Sequence, residues 1–192
     1  MKKVFGILMV LLTACGSAEL EYSNSGAVEE VNTTIGFIET SDCGWSLENK
    51  SCDFQLPAQN GELWRLASEE GDLILLDFSA MWCGPCNVAA QSQQELHDRY
   101  EDQGFQYVTV LIVDSQNDIV DESDVELWTA MHSIETAPVL RGSRSMLNSV
   151  VEHGFPVASW PTFILIDRTG HVVFGLYGYS ESHIVEQIEA NL

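Results

Sequence analysis

The sequence predicts an α/β fold: a central mixed β-sheet with helices on both faces, preceded by an N-terminal hairpin. Three observations carry this expectation. Leu73 to Phe78 and Gln106 to Val113 are near-continuous apolar runs, the pattern of strands buried on both faces. A helical segment opened by Pro85 separates them. The chain then ends strand, turn, strand, helix, so strands and helices alternate through most of its length.

The elements follow in order. Lys2 and Lys3 precede the short apolar run Val4 to Leu12, which is too short to span a bilayer as a helix and has the form of a secretory signal. The run ends Leu12-Thr13-Ala14-Cys15, which resembles a bacterial lipobox. That resemblance implies a signal peptide over residues 1–14, cleavage before Cys15 and lipidation of Cys15. Residues 15–32 are rich in Ser, Glu and Asn and read as a flexible spacer. Residues 33–52 are expected to be an N-terminal extension packed on a domain of residues 53–192.

Within that domain, Asp53 to Leu56 and Leu63 to Leu66 flank a turn at Gln59-Asn60-Gly61 and read as a hairpin. The strand from Leu73 follows. The helix opened by Pro85 is expected to run to about Glu101 and to stop before Gly104, and the strand from Gln106 follows it. Ser123-Asp124-Val125-Glu126 has the form of a capping box and starts a helix to about His132. A second short helix is expected from Ser145 to His153, ended by Gly154. Thr162 to Ile166 is a strand, Asp167 to Gly170 a turn and His171 to Leu176 its antiparallel partner. Ile184, Ile188 and Leu192 give the last helix, from Glu181, an apolar face.

Composition narrows function. Eight Lys and Arg stand against 29 Asp and Glu, a net charge of -21. Such a surface repels nucleic acid and anionic headgroups, so no nucleic-acid partner is expected and membrane attachment falls to the lipid on Cys15. The five cysteines sort by position. Cys15 is the lipid site, and Cys83 and Cys86 form a C-x-x-C pair. Cys43 and Cys52 are expected to form a structural disulfide, as exported chains allow. A second redox pair or a metal site there is disfavoured: no second C-x-x-C exists and no histidine lies near in sequence. All five histidines, 97, 132, 153, 171 and 183, read as surface or helix-end residues, and no metal or cofactor is expected.

The C-x-x-C pair sits where a buried strand runs into a helix. At a helix N-terminus the free N–H groups and the macrodipole favour negative charge, which stabilises the Cys83 thiolate. Cys86, one turn on, is placed to attack a mixed disulfide formed at Cys83. Asp77 is flanked by Leu75, Leu76 and Phe78, so burial is expected to raise its pKa into a range useful for proton exchange.

The segment Phe78-Ser79-Ala80-Met81-Trp82-Cys83-Gly84-Pro85-Cys86 resembles the thioredoxin active site, and Ser159-Trp160-Pro161-Thr162-Phe163 resembles that family's cis-proline loop. The hairpin before the site and the insertion from about Asp114 to Val157 look more like the membrane-bound TlpA/ResA-like branch. The resemblance implies a thioredoxin-like three-layer sandwich over about residues 50–192. It implies catalytic roles for Cys83 and Cys86, with Asp77 assisting proton transfer at the second cysteine. It also implies a substrate-binding surface of Trp82, Gly84, Pro85, Trp160, Pro161 and Thr162. Departures from the pattern are Ser79 in place of a tryptophan, Asn87 in place of a Lys or Arg, and the bulky Trp160.

The function this implies is a lipid-anchored thiol–disulfide oxidoreductase of the bacterial cell envelope, facing the periplasm or the outer surface. Its expected partners are disulfide-containing exported proteins and a membrane-linked thiol electron donor. Gly-Pro between the cysteines resembles thioredoxin, a reductant with a potential of about -270 mV. The alternatives are a disulfide oxidase or isomerase on the same fold, or a Sco-like copper carrier. The last is disfavoured by C-x-x-C spacing and by the lack of a histidine in the loop before Pro161.

Overall fold

The computed structural model describes residues 35–39 and 41–192. The expected signal peptide, the lipid site Cys15 and the spacer lie outside the described residues. Among the described residues no helix is long and apolar enough to cross a membrane.

The strands and helices are β1 (Gly36–Glu39), β2 (Asp53–Pro57), β3 (Leu63–Arg65), β4 (Leu73–Ala80), α1 (Gly84–Tyr100), β5 (Phe105–Val113), α2 (Glu122–His132), β6 (Val139–Arg141), β7 (Thr162–Ile166), β8 (Val172–Tyr177) and α3 (Glu181–Asn191). A five-stranded sheet has the order β6-β5-β4-β7-β8, and a smaller sheet the order β1-β2-β3. β4 pairs parallel with β5, and β5 with β6, while β7 runs antiparallel to both β4 and β8. The mixed sheet expected from the sequence is therefore present.

β4 is central because every one of its residues is buried. Leu73 and Leu75 face a cluster with Ala89, Leu96 and Tyr100 of α1 and Ile184 and Ile188 of α3. Ile74, Leu76 and Phe78 face a second cluster with Phe54 and Leu56 of β2 and Val125 and Trp128 of α2. Alternation along the strand sends these two sets to opposite faces. One face is covered by α1 and α3. The other is covered by α2 together with the small sheet, a layer the sequence expectation of helices on both faces only partly captures.

The extension is joined to the domain in three ways. β1 pairs antiparallel with β2. Phe155 sits at ring-centroid distances of 4.6–5.3 Å from Phe37, Trp45, Phe54 and Phe78. Cys43 and Cys52 are bonded to each other, and the Ser51 N–H donates to the Gly170 carbonyl at 2.9 Å. Gly170 belongs to the turn beyond the C-terminal end of β7, so this bridge lies at the opposite end of that strand from Pro161. Opening it with Cys43→Ala and Cys52→Ala together is expected to cost about 2.5 kcal/mol, the chain entropy of so short a loop. Urea unfolding checks the loss. The same double variant is expected to keep its thiol–disulfide exchange rate.

Three points depart from expectation. The helix from Ser145 to His153 does not form; only Arg144–Met146 makes a short 3-10 turn. The chain instead folds back so that the Asn148 N–H donates to the Phe155 carbonyl and the Phe155 N–H to that of Met146. Gly154 permits this, because a Cβ there would lie 2.5 Å from the Leu147 carbonyl carbon. Burial of Phe155, worth about 1.5–3 kcal/mol, outweighs a weak helix containing Val150 and Val151.

The cap of α2 is Asp121, two residues before Ser123. The Asp121 carboxylate accepts from the Asp124 N–H at 3.1 Å, and the Asp124 carboxylate accepts from the Asp121 N–H at 2.9 Å. Val120 and Val125, both 3% exposed, bracket this box as a hydrophobic staple. β6 was not expected at all. His97 is 7% exposed, with Nδ1 accepting from the Tyr107 N–H at 3.3 Å, and His132 is half-buried. Both lie at helix ends, as expected: His97 in the last turn of α1 and His132 as the last residue of α2.

Candidate active site

β4 delivers the site. Its last residues run to Met81, whose N–H donates to the Val113 carbonyl at 2.9 Å and so continues the pairing with β5. The Cys83 N–H then donates to the Ala80 carbonyl at 3.0 Å, turning the chain. Cys83 is the N-cap of α1 and its Sγ accepts from the Cys86 N–H at 3.1 Å. A sulfur in that position takes one of the helix's unpaired donors, which is where a thiolate is best stabilised. Cys83 and Cys86 are bonded to each other, with Cα atoms 5.2 Å apart. Cys86 is fully buried and Cys83 is 4% exposed. Gly84 and Pro85 lie exposed on the first turn, and Trp82 is 48% exposed beside them.

Pro161 follows a cis peptide bond from Trp160. Thr162 pairs with Phe78, so the register sets Pro161 beside the last residues of β4, the ones that lead to Cys83. Pro161 is buried, and its carbonyl accepts from the Gly178 N–H at 2.8 Å. The Thr162 hydroxyl closes the loop by donating to the Ser159 carbonyl at 2.7 Å. Trp160 is half-buried and packs against the larger core cluster. The cysteine turn and the proline loop thus share one end of the sheet.

Asp77 is fully buried on the face of β4 that also carries Leu73 and Leu75. Burial raises its pKa from 3.8 to about 7, against the opposing effect of two hydrogen bonds. Ser79 donates to one carboxylate oxygen at 2.7 Å and Tyr107 to the other at 3.1 Å. Burial, followed by the Asp77 charge, raises the Tyr107 pKa well above its ordinary value. Tyr107 therefore stays protonated and remains a donor.

Three participants escaped the sequence reading. Tyr107 read only as part of a buried strand, although it and Thr109 are the hydroxyl-bearing residues in an apolar run. Ser79 and Asn87 stood out only as departures from the thioredoxin pattern. Ser79 binds Asp77. The Asn87 side-chain amide donates to the carbonyls of Met81 and Cys83 at 2.9 and 2.8 Å, with His132 Nε2 3.2 Å from its oxygen.

At Cys43 and Cys52 the fold supplies a histidine that sequence distance concealed. A ring nitrogen of His153 lies within 4.8 Å of both sulfurs. Because the sulfurs are bonded to each other, they are not available as thiolate ligands in this state.

A cysteine bridge at a helix N-terminus, reached from a buried strand with a carboxyl poised near neutrality, places the chain among thioredoxin-like proteins. It belongs to the AhpC/TSA family, whose model matches residues 47–174. The thiol-disulfide oxidoreductase ResA of Geobacillus thermodenitrificans is 27% identical over 120 residues, 62% of this chain and 63% of that protein. The chain spans less than two thirds of the curated relatives it matches. Among solved structures, a Chlorobium tepidum protein described as the thiol:disulfide interchange protein DsbE has a TM-score of 0.65 and 26% identity, covering 77% of this chain and 99% of that one. The exposed lipoprotein thioredoxin Etrx1 of Streptococcus pneumoniae has a TM-score of 0.57 and 25% identity, covering 73% and 99%.

Proposed function

We propose that this chain is a lipid-anchored thiol–disulfide oxidoreductase of the bacterial cell envelope that reduces, or exchanges, disulfides of exported proteins through Cys83 and Cys86. The observation that carries this reading is Cys83 as the N-cap of α1, bonded to Cys86 one turn on. Anchoring through Cys15 rests on the lipobox-like Leu12-Thr13-Ala14-Cys15 and is in keeping with the lipoprotein nature of Etrx1.

In the reduced protein, the Cys83 thiolate attacks one sulfur of a substrate disulfide. A Cys83–substrate bond forms, and the other substrate sulfur leaves as a thiolate. Cys86 then gives its proton to the Asp77 carboxylate and attacks the Cys83 sulfur. The mixed disulfide breaks, the second substrate sulfur leaves as a thiolate, and the Cys83–Cys86 bond is restored. The substrate gains two electrons and the protein loses two. A membrane-linked thiol donor returns them by the reverse exchange. Trp82, Gly84, Pro85 and Trp160 border the docking surface, while Pro161 and Thr162 are buried beneath it and fix the loop against which an extended substrate segment would lie.

The test is capture. Cys86→Ser leaves Cys83 able to attack but removes the resolving sulfur. Expressed in an envelope-bearing host, it is expected to accumulate covalent adducts on Cys83 that mass spectrometry identifies as exported proteins. An absence of adducts with Cys83 free and reduced would sink the reading. Direction follows from the reduction potential of the pair: a value above about -150 mV, toward the DsbA range, would make the protein an oxidant.

A further inference from the structure

We propose that His132 is a positioning residue for Cys83, acting from the end of α2 through the side-chain amide of Asn87. This rests on the reading of Cys83 as the attacking thiolate.

The geometry is fully determined. The Asn87 side-chain nitrogen has two protons, and both are used, on the carbonyls of Met81 and Cys83 at 2.9 and 2.8 Å. The amide cannot be turned over, because its oxygen would then face two carbonyl oxygens. Its oxygen must therefore point away from the redox turn, where it needs a donor. His132 Nε2 is 3.2 Å away. An amide oxygen only accepts, so Nε2 carries the proton.

His132 is itself held from beneath. Its ring packs edge-on against Trp128 at 4.5 Å between centroids and 63° between planes, and Trp128 is 1% exposed. Burial lowers the His132 pKa, which favours the neutral ring. A rigid path thus runs from the core through Trp128, His132 and Asn87 to the backbone that carries Cys83.

The consequence is electrostatic as well as steric. The Cys83 carbonyl accepts from the Asn87 backbone N–H at 3.1 Å and from the Asn87 side chain. Satisfied carbonyls present less negative potential to a neighbouring thiolate than unsatisfied ones. His132 of α2 is the ionisable side chain that meets Asn87, whereas Asp77 of β4 is held by Ser79 and Tyr107. Asn87 stands where the thioredoxin pattern has a cation, and it stabilises the turn with a neutral donor instead.

The measurement is the pH dependence of iodoacetamide alkylation at Cys83 in the reduced full-length chain, assigned by mass spectrometry. Asn87→Ala is expected to move the midpoint upward by about one unit, which at a fixed pH below the midpoint is about tenfold less thiolate. His132→Phe keeps a ring against Trp128 but removes the N–H, and is expected to move the midpoint the same way. His132→Gln, which restores an N–H donor, is expected to return the midpoint to the wild-type value. Because His132 acts only through Asn87, Asn87→Ala with His132→Phe is expected to match Asn87→Ala alone. A wild-type midpoint in His132→Phe, or a shift that adds in full to that of Asn87→Ala, would overturn the proposal while leaving the function of Cys83 intact. A wild-type Cys83 midpoint at the free-cysteine value would instead overturn the thiolate reading on which it rests.

Discussion

Cys83→Ser is expected to reduce dithiothreitol-driven insulin reduction to the uncatalysed background, a loss of about 10³-fold or more. A neutral serine hydroxyl lacks the nucleophilicity of a thiolate toward a disulfide and cannot form the mixed disulfide. The helix N-terminus that stabilises a sulfur anion at Cys83 cannot ionise a hydroxyl at neutral pH. Cys43→Ser is the informative contrast. The Cys43–Cys52 bond is tied to the Gly170 turn, at the far end of β7 from Pro161, and it serves the small sheet. Its loss is expected to lower the unfolding midpoint and to leave the rate within about twofold, as for other changes remote from the reacting atoms. Equal loss of activity in a folded Cys43→Ser protein would show that both bridges take part in exchange.

What the sequence made legible follows from how each element is determined. β4 and β5 were readable because a strand buried on both faces is a near-continuous apolar run, here broken only at a few polar positions such as Asp77 and Thr109. The start of α3 and the bounds of β7 were readable from local signals: isoleucines four apart, and a turn rich in Asp, Thr and Gly. β6 was not readable. It is three residues long, and its strand character comes from pairing with β5, which no local pattern records. The helix expected after Ser145 failed for a related reason, since the aromatic cluster around Phe155 is assembled from four distant segments.

The site divides in the same way. Cys83, Cys86 and Asp77 sit within ten residues of each other and declare themselves by spacing. Their partners do not. Tyr107 reaches Asp77 because β5 lies parallel beside β4, and His132 reaches Asn87 because α2 ends over the first turns of α1. Ser79 and Asn87 are the exceptions, visible as departures whose meaning comes only from their contacts, Ser79 on the Asp77 carboxylate and Asn87 on the carbonyls of Met81 and Cys83.

Asp77→Asn is expected to have two large effects of opposite sign, one on rate and one on stability. In the proposed mechanism Asp77 takes the proton of Cys86, and a folded-state pKa of about 7 suits a group that must accept and release a proton near neutrality. Removing it is expected to slow resolution of the mixed disulfide by about 10²-fold, the usual worth of a positioned base. In the wild type that step should fall off as pH drops below about 7, where the carboxyl becomes protonated, and the variant should lose this dependence. The stability effect runs the other way. Well below pH 3.8 both folded and unfolded chains hold the proton, so the carboxyl contributes no pH dependence. As pH rises from there toward about 7, the unfolded chain releases its proton first and binds fewer than the folded one, so stability falls with pH; above about 7 the slope vanishes. A rise from 3.8 to about 7 corresponds to a full cost of roughly 4 kcal/mol at alkaline pH. An asparagine never ionises, and the Ser79 and Tyr107 hydroxyls can still pair with its amide. The variant is therefore expected to gain stability over the wild type progressively between about pH 4 and pH 7, measured by urea unfolding across that range. A stability difference that stays constant across the window would mean that the carboxyl titrates at its ordinary value, and an unchanged pH profile of resolution would remove it from the mechanism. If both effects appear together, the buried carboxyl is a group retained for proton transfer at the expense of the fold's stability.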